Sequence, residues 1–166
     1  GGGDDDEFDL DAIAFLLNAE GKVVDQGDGL IGSDVVFYNN LRHPSGAVVH
    51  TGDDLTGGSG NADDEQIVVD LAGMPARYES LLFIVNVYEG VKKGQHFGEV
   101  SGAFIRAVDN SGVELARYNL DSDASYDQMR SVIFAQVSRS GSGWDFKAIG
   151  EGHQTDKWTS LLGKYV

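Results

Sequence analysis

The chain has 166 residues, 41% of them apolar, and this length and composition predict one globular domain, residues 1–166, with its own core. Twelve basic against 27 acidic residues give a net charge of −15, which argues against nucleic acid and anionic membranes as partners because both would repel the chain. No cysteine is present, so cysteine-ligated zinc and iron–sulfur clusters are excluded.

The N-terminal stretch GGGDDDEFDLDA is acidic and polar, whereas a signal peptide begins with a basic and then an apolar region. Residues 4–6 are predicted to be part of an acidic lead-in. No apolar run approaches the ~20 residues of a membrane-spanning helix. The sequence therefore predicts a cytoplasmic protein without a membrane span.

Glycine is abundant (23 residues) and proline is scarce (2), and the glycines separate short apolar runs, which is typical of an all-β protein. The first predicted strand covers residues 11–18 and ends at a turn at Glu20–Gly21. Four further strands are predicted in DVVFYNN, GAVVHTG, EQIVVDLAGM and SLLFIVNVYEG. The last of these is the most apolar and is predicted to be central in its sheet.

Two hairpins follow, with predicted turns at residues 109–112 and 140–143. Helix is sparse: DASYDQMR is predicted to form one short helix, capped by Asp121 or Ser122, and the terminal TDKWTSLLGKYV another, capped by Thr155. The predicted fold is therefore all-β, a β-sandwich of two mainly antiparallel sheets with acidic, glycine-rich loops and short helices.

Residues 50–71, HTGDDLTGGSGNADDEQIVVDL, contain a group of acidic residues and no lysine or arginine. The acidic residues outside the flanking strand are Asp53, Asp54, Asp63, Asp64 and Glu65. Two carboxylates ~4 Å apart repel by roughly 1 kcal/mol even in water. Calcium takes six to eight oxygen ligands and is bound by closely spaced carboxylates on a backbone that can curl inward. The stretch is therefore a candidate calcium site; the alternative is a solvated surface loop.

A second candidate element lies at the start of the first strand. Because side chains alternate along a strand, Asp9 and Asp11 are predicted to share one face with apolar residues, namely Ile13, Phe15 and Leu17. Buried, unpaired carboxylates are costly, so these two either reach solvent at the rim of the sheet or bind a cation. Asn39 and Asn40, which close the second strand, could add amide oxygens at the same end.

Other polar and aromatic residues have simpler interpretations. Asp109–Asn110 is predicted to be a turn and not a ligand, and Trp144 and Trp158 are predicted to be packing residues. The four histidines, His43, His50, His96 and His153, are predicted to be surface residues with satisfied hydrogen bonds. The sequence has no P-loop, dinucleotide fingerprint or nucleophile elbow, and we therefore predict no catalytic activity. A carboxylate pair for glycoside hydrolysis stays open.

Several stretches, in order, resemble the TerD family of bacterial tellurium-resistance and stress-response proteins. They are FDLDAIAFLL, VVFYNN, VVHTGDDLTGGSGNADDEQIVVDL, FGEVSGAFIRAVDNSGVELARYNL and WDFKAIGEG. The resemblance implies a β-sandwich that binds calcium through acidic loops, a role in resistance to tellurite and other stresses, and no established catalysis. Carried over position by position, it implies these metal ligands: Asp9, Asp11, Asn39, Asp53, Asp54, Asp63, Asp64 and Glu65.

The chain departs from the family pattern in two places. The family has an N-terminal segment before the DLD motif, whereas this chain begins almost at that motif. Either the first strands of the family fold are missing from this sequence or the sheet is shorter, and any ligand that those strands carry is expected to be absent. Where the family reads QNFG, this chain reads Gln95-His96-Phe97-Gly98.

The predicted function is that of a non-enzymatic calcium-binding sensor or scaffold in a stress response. The carboxylate count accommodates two ions, one bound by Asp9, Asp11 and Asp53 and the other by Asp63, Asp64 and Glu65. The negative charge would favour basic proteins, such as other stress-response proteins, as partners.

The sequence is also compatible with two other functions. A calcium-dependent carbohydrate-binding module would need an exposed aromatic row, for which Tyr38, Tyr88 and Tyr118 are candidates. A metal-dependent hydrolase would need an open coordination position beside a pocket.

Overall fold

The computed structural model describes residues 10–23, 34–51, 66–87, 94, 96–97, 104–119, 126 and 128–165. Its strands are β1 (Leu10–Leu17), β2 (Val35–Val36), β3 (Val48–His50), β4 (Ile67–Val69), β5 (Ser80–Val87), β6 (Phe104–Val108), β7 (Glu114–Asn119), β8 (Ser131–Ser140) and β9 (Gly143–His153). A short helix, α1 (Trp158–Leu162), and a 3-10 turn (Gly163–Tyr165) follow.

The main sheet has five strands in the order β2-β1-β5-β8-β9, and every neighbouring pair is antiparallel. Strand β5, the most apolar segment of the chain, lies in the middle as predicted, because both of its faces are covered. Strands β3 and β4 form a separate antiparallel pair, and so do β6 and β7. The all-β sandwich prediction is confirmed.

The two separate strand pairs cover one face of the main sheet, which we call the hairpin face. Val48 of β3 packs in one buried cluster with Leu16 and Leu81. Tyr118 of β7 packs against a second cluster that contains Val85. This layering buries the central strands of that face and defines the sandwich.

Helix α1 covers the opposite face of the main sheet, which we call the helix face. Trp158 and Leu161 pack into a cluster with Phe15 and Ile133. The ring of Trp158 lies 6.0 Å from the ring of Phe15 and 5.0 Å from that of Phe37 in tilted and edge-on contacts, which are favourable for aromatic pairs. Trp158 is therefore a packing residue, as predicted.

Both predicted hairpin turns are present, at residues 109–113 between β6 and β7 and at 141–142 between β8 and β9. The Oδ1 atom of Asp109 accepts hydrogen bonds from the side chain and backbone of Ser111 and from the backbone of Val113, at 2.8–3.0 Å. These bonds, that from the Ser111 hydroxyl most of all, lower the pKa of Asp109 below its usual value. The Asp109 side chain therefore stabilises a turn, as predicted.

The predicted N-cap of the terminal helix is wrong. Helix α1 begins at Trp158 with Lys157 as its N-cap residue, and no side-chain cap is present. The hydroxyl of Thr155 instead accepts a hydrogen bond from the Lys157 backbone N–H at 3.0 Å, in the turn before the helix. The helix is also shorter than predicted, since Gly163 and the residues after it form a 3-10 turn.

The other predicted helix, residues 123–130, is described only in part, and its proposed caps Asp121 and Ser122 lie outside the described residues. Of its described residues, Tyr126 lies in a 3-10 turn, Gln128 has a φ of 69°, and Met129 and Arg130 are not helical, so these described residues form no α-helix.

Candidate functional site

The acidic stretch is placed by the two strands on either side of it, β3 and β4. His50 of β3 is paired with Ile67 of β4. Beyond this pair, the Thr51 N–H donates to the Gln66 carbonyl at 2.9 Å and the Gln66 N–H donates to the Thr51 hydroxyl at 3.2 Å. The prediction of a strand on each side is thus confirmed, and residues 52–65 connect the ends of one antiparallel pair. The carboxylates at positions 53, 54, 63, 64 and 65 lie outside the described residues.

Asp11 lies near the start of β1, on the predicted face. Ile13, Phe15 and Leu17 belong to the buried cluster of the helix face, and Asp11 follows the same alternation. Its cross-strand partner is Asn86 of β5. Asp9, the other carboxylate predicted on this strand, lies outside the described residues.

The turn after β2 reaches the same end of the sheet. Phe37 and Asn40 exchange two backbone hydrogen bonds, at 3.1 and 2.9 Å, so the predicted strand DVVFYNN is reduced to Val35–Val36 and a tight turn. Tyr38 and Asn39 form this turn, and both are exposed. The base of the acidic stretch is close by, because the His50 N–H donates to the Leu41 carbonyl at 2.7 Å. The turn, Asp11 and the base of the acidic stretch therefore lie at one end of the sandwich.

An open cleft of about 230 Å³ lies on the helix face at this end. Its lining residues are Asp11, Tyr38, Asn86, Asp156, Lys157, Trp158 and Thr159. Tyr38 is therefore the turn residue that reaches the cleft lining, beside the predicted ligand Asn39. Within the part of the chain that the structure describes, no three aspartate, glutamate or histidine side chains form a metal-binding group. A cation in the cleft would need neutral oxygen donors as well as carboxylates.

Asn86 supplies such a donor. Its side chain is 2% exposed, and its Nδ2 donates to the Asp156 backbone carbonyl at 2.6 Å. That bond assigns the nitrogen and oxygen positions of the amide, because the Asp156 carbonyl can only accept and the atom facing it must be the NH₂ nitrogen. The Oδ1 atom is then buried with no hydrogen-bond partner among the described residues. The sequence interpretation missed Asn86 because it treated β5 as wholly apolar, although one asparagine in such a strand is itself a signal.

The prediction that the four histidines are surface residues is wrong for three of them. His43, His50 and His96 are buried, with exposures of 1%, 3% and 9%. His50 is buried because it alternates inward with Val48 along β3. His153 is partly buried and pairs with Glu151 at 2.6 Å.

His43 belongs to a buried polar network on the hairpin face, which we call the Asp34 network: Asp34, His43 and Tyr78. The Nε2 atom of His43 lies 2.9 Å from Asp34 Oδ1 and 3.0 Å from the Tyr78 hydroxyl, which itself donates to Asp34. The Nδ1 atom accepts the Ser45 backbone N–H at 3.1 Å, so Nε2 is the nitrogen that donates to Asp34. Each buried polar group thus has a partner, which makes the network a stabilising element of the core.

The pH dependence of stability is expected to report this network. Burial, followed by the hydrogen bond to Asp34, raises the pKa of Tyr78 to about 12. An unfolded tyrosine titrates near pH 10. Because the folded state holds the phenol neutral, the contribution of Tyr78 is complete below about pH 10 and is lost as the pH rises from about 10 to about 12.

We therefore expect the denaturant midpoint of the wild type to fall over this alkaline window more steeply than that of the Tyr78→Phe variant. Tyr165, whose pKa is also raised by burial, is present in both proteins and does not affect the comparison. Parallel curves for the two proteins would show that Tyr78 titrates normally in the folded state.

The aromatic residues considered for a sugar platform are separated. Tyr38 is 47% exposed beside the cleft on the helix face. Tyr118 is partly buried on the hairpin face, with its ring 5.5 Å from that of Phe134. Tyr88 lies outside the described residues. Tyr38 and Tyr118 therefore do not belong to one exposed row.

Among the described residues, none of the helical segments has the length and apolar character to pass through a membrane. The sequence model of the TerD domain family matches residues 2–165. The chain is 45% identical over 168 residues to tellurium resistance protein TerX of Serratia marcescens, covering 98% of this chain and 78% of the relative. It is 39% identical over 166 residues to stress response protein SCP2 of Bacillus subtilis (strain 168), covering 99% of this chain and 78% of that relative.

Among solved structures, a homologue of telluride resistance protein TerD from Streptomyces coelicolor A3(2) matches with a TM-score of 0.70. The match covers 92% of this chain and 84% of that one, at 21% identity. At that identity it supports the fold alone.

Proposed function

Because the chain belongs to the TerD family of tellurium-resistance and stress-response proteins, we propose that it is a calcium-binding, non-enzymatic member of that family. In this proposal Ca²⁺ is bound at the end of the sandwich where β1 begins. The carboxylates of the acidic stretch and of the DLD motif are the ligands, together with Asn39, and two ions are bound. The protein would act as a sensor or scaffold in the cytoplasm.

One observation supports calcium most strongly: the buried oxygen of Asn86 beside the carboxylate of Asp11. An unsatisfied buried acceptor costs about 1–3 kcal/mol, and a cation relieves that cost. Carboxylate and amide oxygens with no sulfur or imidazole nitrogen among the cleft residues are the donors that a hard cation prefers. An open cleft suits calcium better than magnesium, which demands a near-ideal octahedron at shorter distances.

The placement of the acidic stretch supports the same site. Its two ends are joined at Thr51 and Gln66, and Leu41 connects this base to the turn that carries Tyr38. The two ends of the acidic stretch and the start of β1, which carries Asp11, therefore lie at one end of the molecule. Calcium bound by the carboxylates of the acidic stretch and of β1 would offset the repulsion among them and so stabilise the folded state.

A role as sensor or scaffold is supported by this link between calcium binding and the stability of the folded state. Binding that alters the charge and conformation at one end of the sandwich changes the surface offered to a partner. With a net charge of −15, the chain keeps a negative charge of 11 even after two calcium ions bind, because each ion adds two positive charges. We propose basic stress-response proteins as partners for this reason.

The test is thermal unfolding of chelator-stripped protein during calcium titration, with magnesium as the matched control. We expect a saturable rise in the melting temperature with calcium and a much smaller rise with magnesium at the same concentration. The absence of a calcium-dependent rise would refute calcium binding by the native state.

A further inference from the structure

A row of polar residues crosses four strands on the otherwise apolar helix face. Asp11 of β1 is paired with Asn86 of β5, Asn86 with Ser131 of β8, and Ser131 with His153 of β9. The next inward positions on the three central strands are apolar members of the helix-face cluster, namely Ile13, Ile84 and Ile133. Polar groups in such a row, Asn86 and Ser131 being almost fully buried, require partners.

Residues 154–157, which we call the crossing segment, supply partners for the middle of this row. The Ser131 hydroxyl donates to the Thr155 carbonyl at 2.5 Å, and Asn86 Nδ2 donates to the Asp156 carbonyl. Arg130, next to Ser131, donates to the Gln154 carbonyl at 3.2 Å. The row therefore anchors the segment that leads from β9 into helix α1.

The bond to the crossing segment uses only the Nδ2 atom of the Asn86 amide. Its Oδ1 atom, on a side chain 2% exposed, is buried without a hydrogen-bond partner among the described residues, and Asn86 is one of the residues that line the cleft. Asp11 and Asp156 line the same cleft and bring two carboxylates to it. A buried amide oxygen in a cleft that two aspartates also line attracts a cation, and the anchoring bond prevents the amide from turning round to offer its donor instead.

We propose that this cleft is a cation subsite in which Ca²⁺ is bound by Asn86 Oδ1 together with the carboxylates of Asp11 and Asp156. This inference rests on the proposed function, and it assigns ligands that lie outside the acidic stretch. Tyr38 and Thr159, which carry hydroxyl groups, also line the cleft, and its opening leaves room for water, so that six or more oxygens can surround the ion. Calcium at this subsite would tie the crossing segment to β1 and β5.

Lys157 also lines the cleft, and its ammonium group is the cation that would compete with Ca²⁺ for the two carboxylates. It is exposed, so its ammonium group can turn to solvent when a divalent ion binds. A divalent ion also balances two carboxylates, which a single ammonium group does not. The charge of the lining thus favours the divalent cation.

Terbium luminescence tests the subsite on the full chain. Tb³⁺ replaces Ca²⁺ at oxygen sites and emits when a nearby tryptophan is excited, and Trp158 lines the cleft. The matched control is Trp144, which lies on the hairpin face with the Arg139 guanidinium 4.4 Å from its ring. We expect Trp158→Phe to remove most of the calcium-displaceable emission and Trp144→Phe to leave it.

Two ligand variants measure affinity at the subsite. Asn86→Leu removes the buried oxygen, and Asp156→Asn removes one carboxylate while keeping the backbone carbonyl that Asn86 anchors. We expect each to weaken the Trp158-dependent Tb³⁺ binding by at least about tenfold, since even the loss of an outer-shell partner costs 10–100-fold in metal affinity. Should Asn86→Leu fail to fold, Asp156→Asn carries the test alone, because Asp156 is only partly buried.

The acidic-stretch double variant, Asp63→Asn with Glu65→Gln, separates this proposal from the proposed function. Retention of the Trp158-dependent emission in that variant, together with its loss in Asp156→Asn, supports the subsite. If the double variant abolishes all binding, or if folded Asp156→Asn binds like the wild type, the subsite is refuted while calcium binding by the acidic stretch stands. If the wild type binds neither Tb³⁺ nor Ca²⁺, both proposals fail.

Discussion

Replacing two carboxylates of the acidic stretch, Asp63→Asn with Glu65→Gln, is expected to abolish most of the stabilisation that comes from the calcium ion bound by that stretch. Ligand that binds only the native state stabilises it by RT ln(1 + [L]/Kd), about 2.7 kcal/mol at a hundredfold excess over Kd. A hundredfold loss of affinity would reduce this gain to about 0.4 kcal/mol at the same calcium concentration. Urea unfolding of both proteins, with and without calcium, gives the two gains directly.

The double variant also removes two negative charges, which by itself changes stability. The matched control is Glu20→Gln with Asp145→Asn, two exposed residues at the other end of the sheet, near the pair Leu17 and Ser80. This control should keep the full calcium gain. An equal gain in the acidic-stretch variant and the control would contradict the assignment of Asp63 and Glu65 as ligands. The calcium-free acidic-stretch variant should be at least as stable as the calcium-free wild type, because repulsion is relieved.

Replacing His43 with alanine is expected to lower the free energy of unfolding by about 3 kcal/mol. The substitution removes the donor 2.9 Å from the buried Asp34 carboxyl group, and it leaves a void beside the Tyr78 ring, whose centroid lies 5.2 Å from that of His43. Urea unfolding near neutral pH, with chelator present, measures this effect separately from calcium.

Ser45 provides the control for this prediction. Its hydroxyl lies 2.8 Å from Nδ1 of His43, but the side chain is exposed. Ser45→Ala should therefore cost about 1 kcal/mol or less. A loss below about 1 kcal/mol for His43→Ala would mean that water satisfies Asp34 after the substitution, and the network would then not be the stabilising element described above.

The sandwich was predictable from the sequence because its local signals agree with its tertiary contacts. Glycines and turn residues separate the strands, and Asp109 with Gly112, at φ 89°, forms the turn that this chemistry predicts. The continuous apolar run of β5 predicted a central strand, since only a strand covered on both faces can be apolar on both. The two-residue alternation placed Asp11 on the helix face correctly.

Other features depend on tertiary contacts that no local pattern contains. The burial of His43 depends on Asp34 and Tyr78, which are 9 and 35 residues away in the chain. The prediction of Thr155 as the cap of α1 was wrong because the residues before the helix cross the sheet, where the Ser131 hydroxyl donates to the Thr155 carbonyl. Asn39 lies in a turn at the predicted end of the sheet, and the sequence did not show that its neighbour Tyr38 reaches the cleft lining.

The candidate site was only partly predictable for the same reason. Carboxylates crowded without a counter-charge are visible in the sequence, and the alternation along the first strand pointed to Asp11. Asn86 and Asp156 are separated by 70 residues and meet only when the crossing segment packs on β5. Of these two, only Asn86 carries a sequence signal, as the one amide in the apolar run of β5.

Calcium binding is tested most directly by a calorimetric titration of calcium into chelator-stripped wild-type protein. We predict saturable binding that approaches two ions per chain, with much weaker binding of magnesium. We also predict that Asp63→Asn with Glu65→Gln loses one of the two ions and that Asp156→Asn loses the other. The absence of saturable heat up to about millimolar calcium, the weak end of the range for protein calcium sites, would contradict calcium binding by this protein.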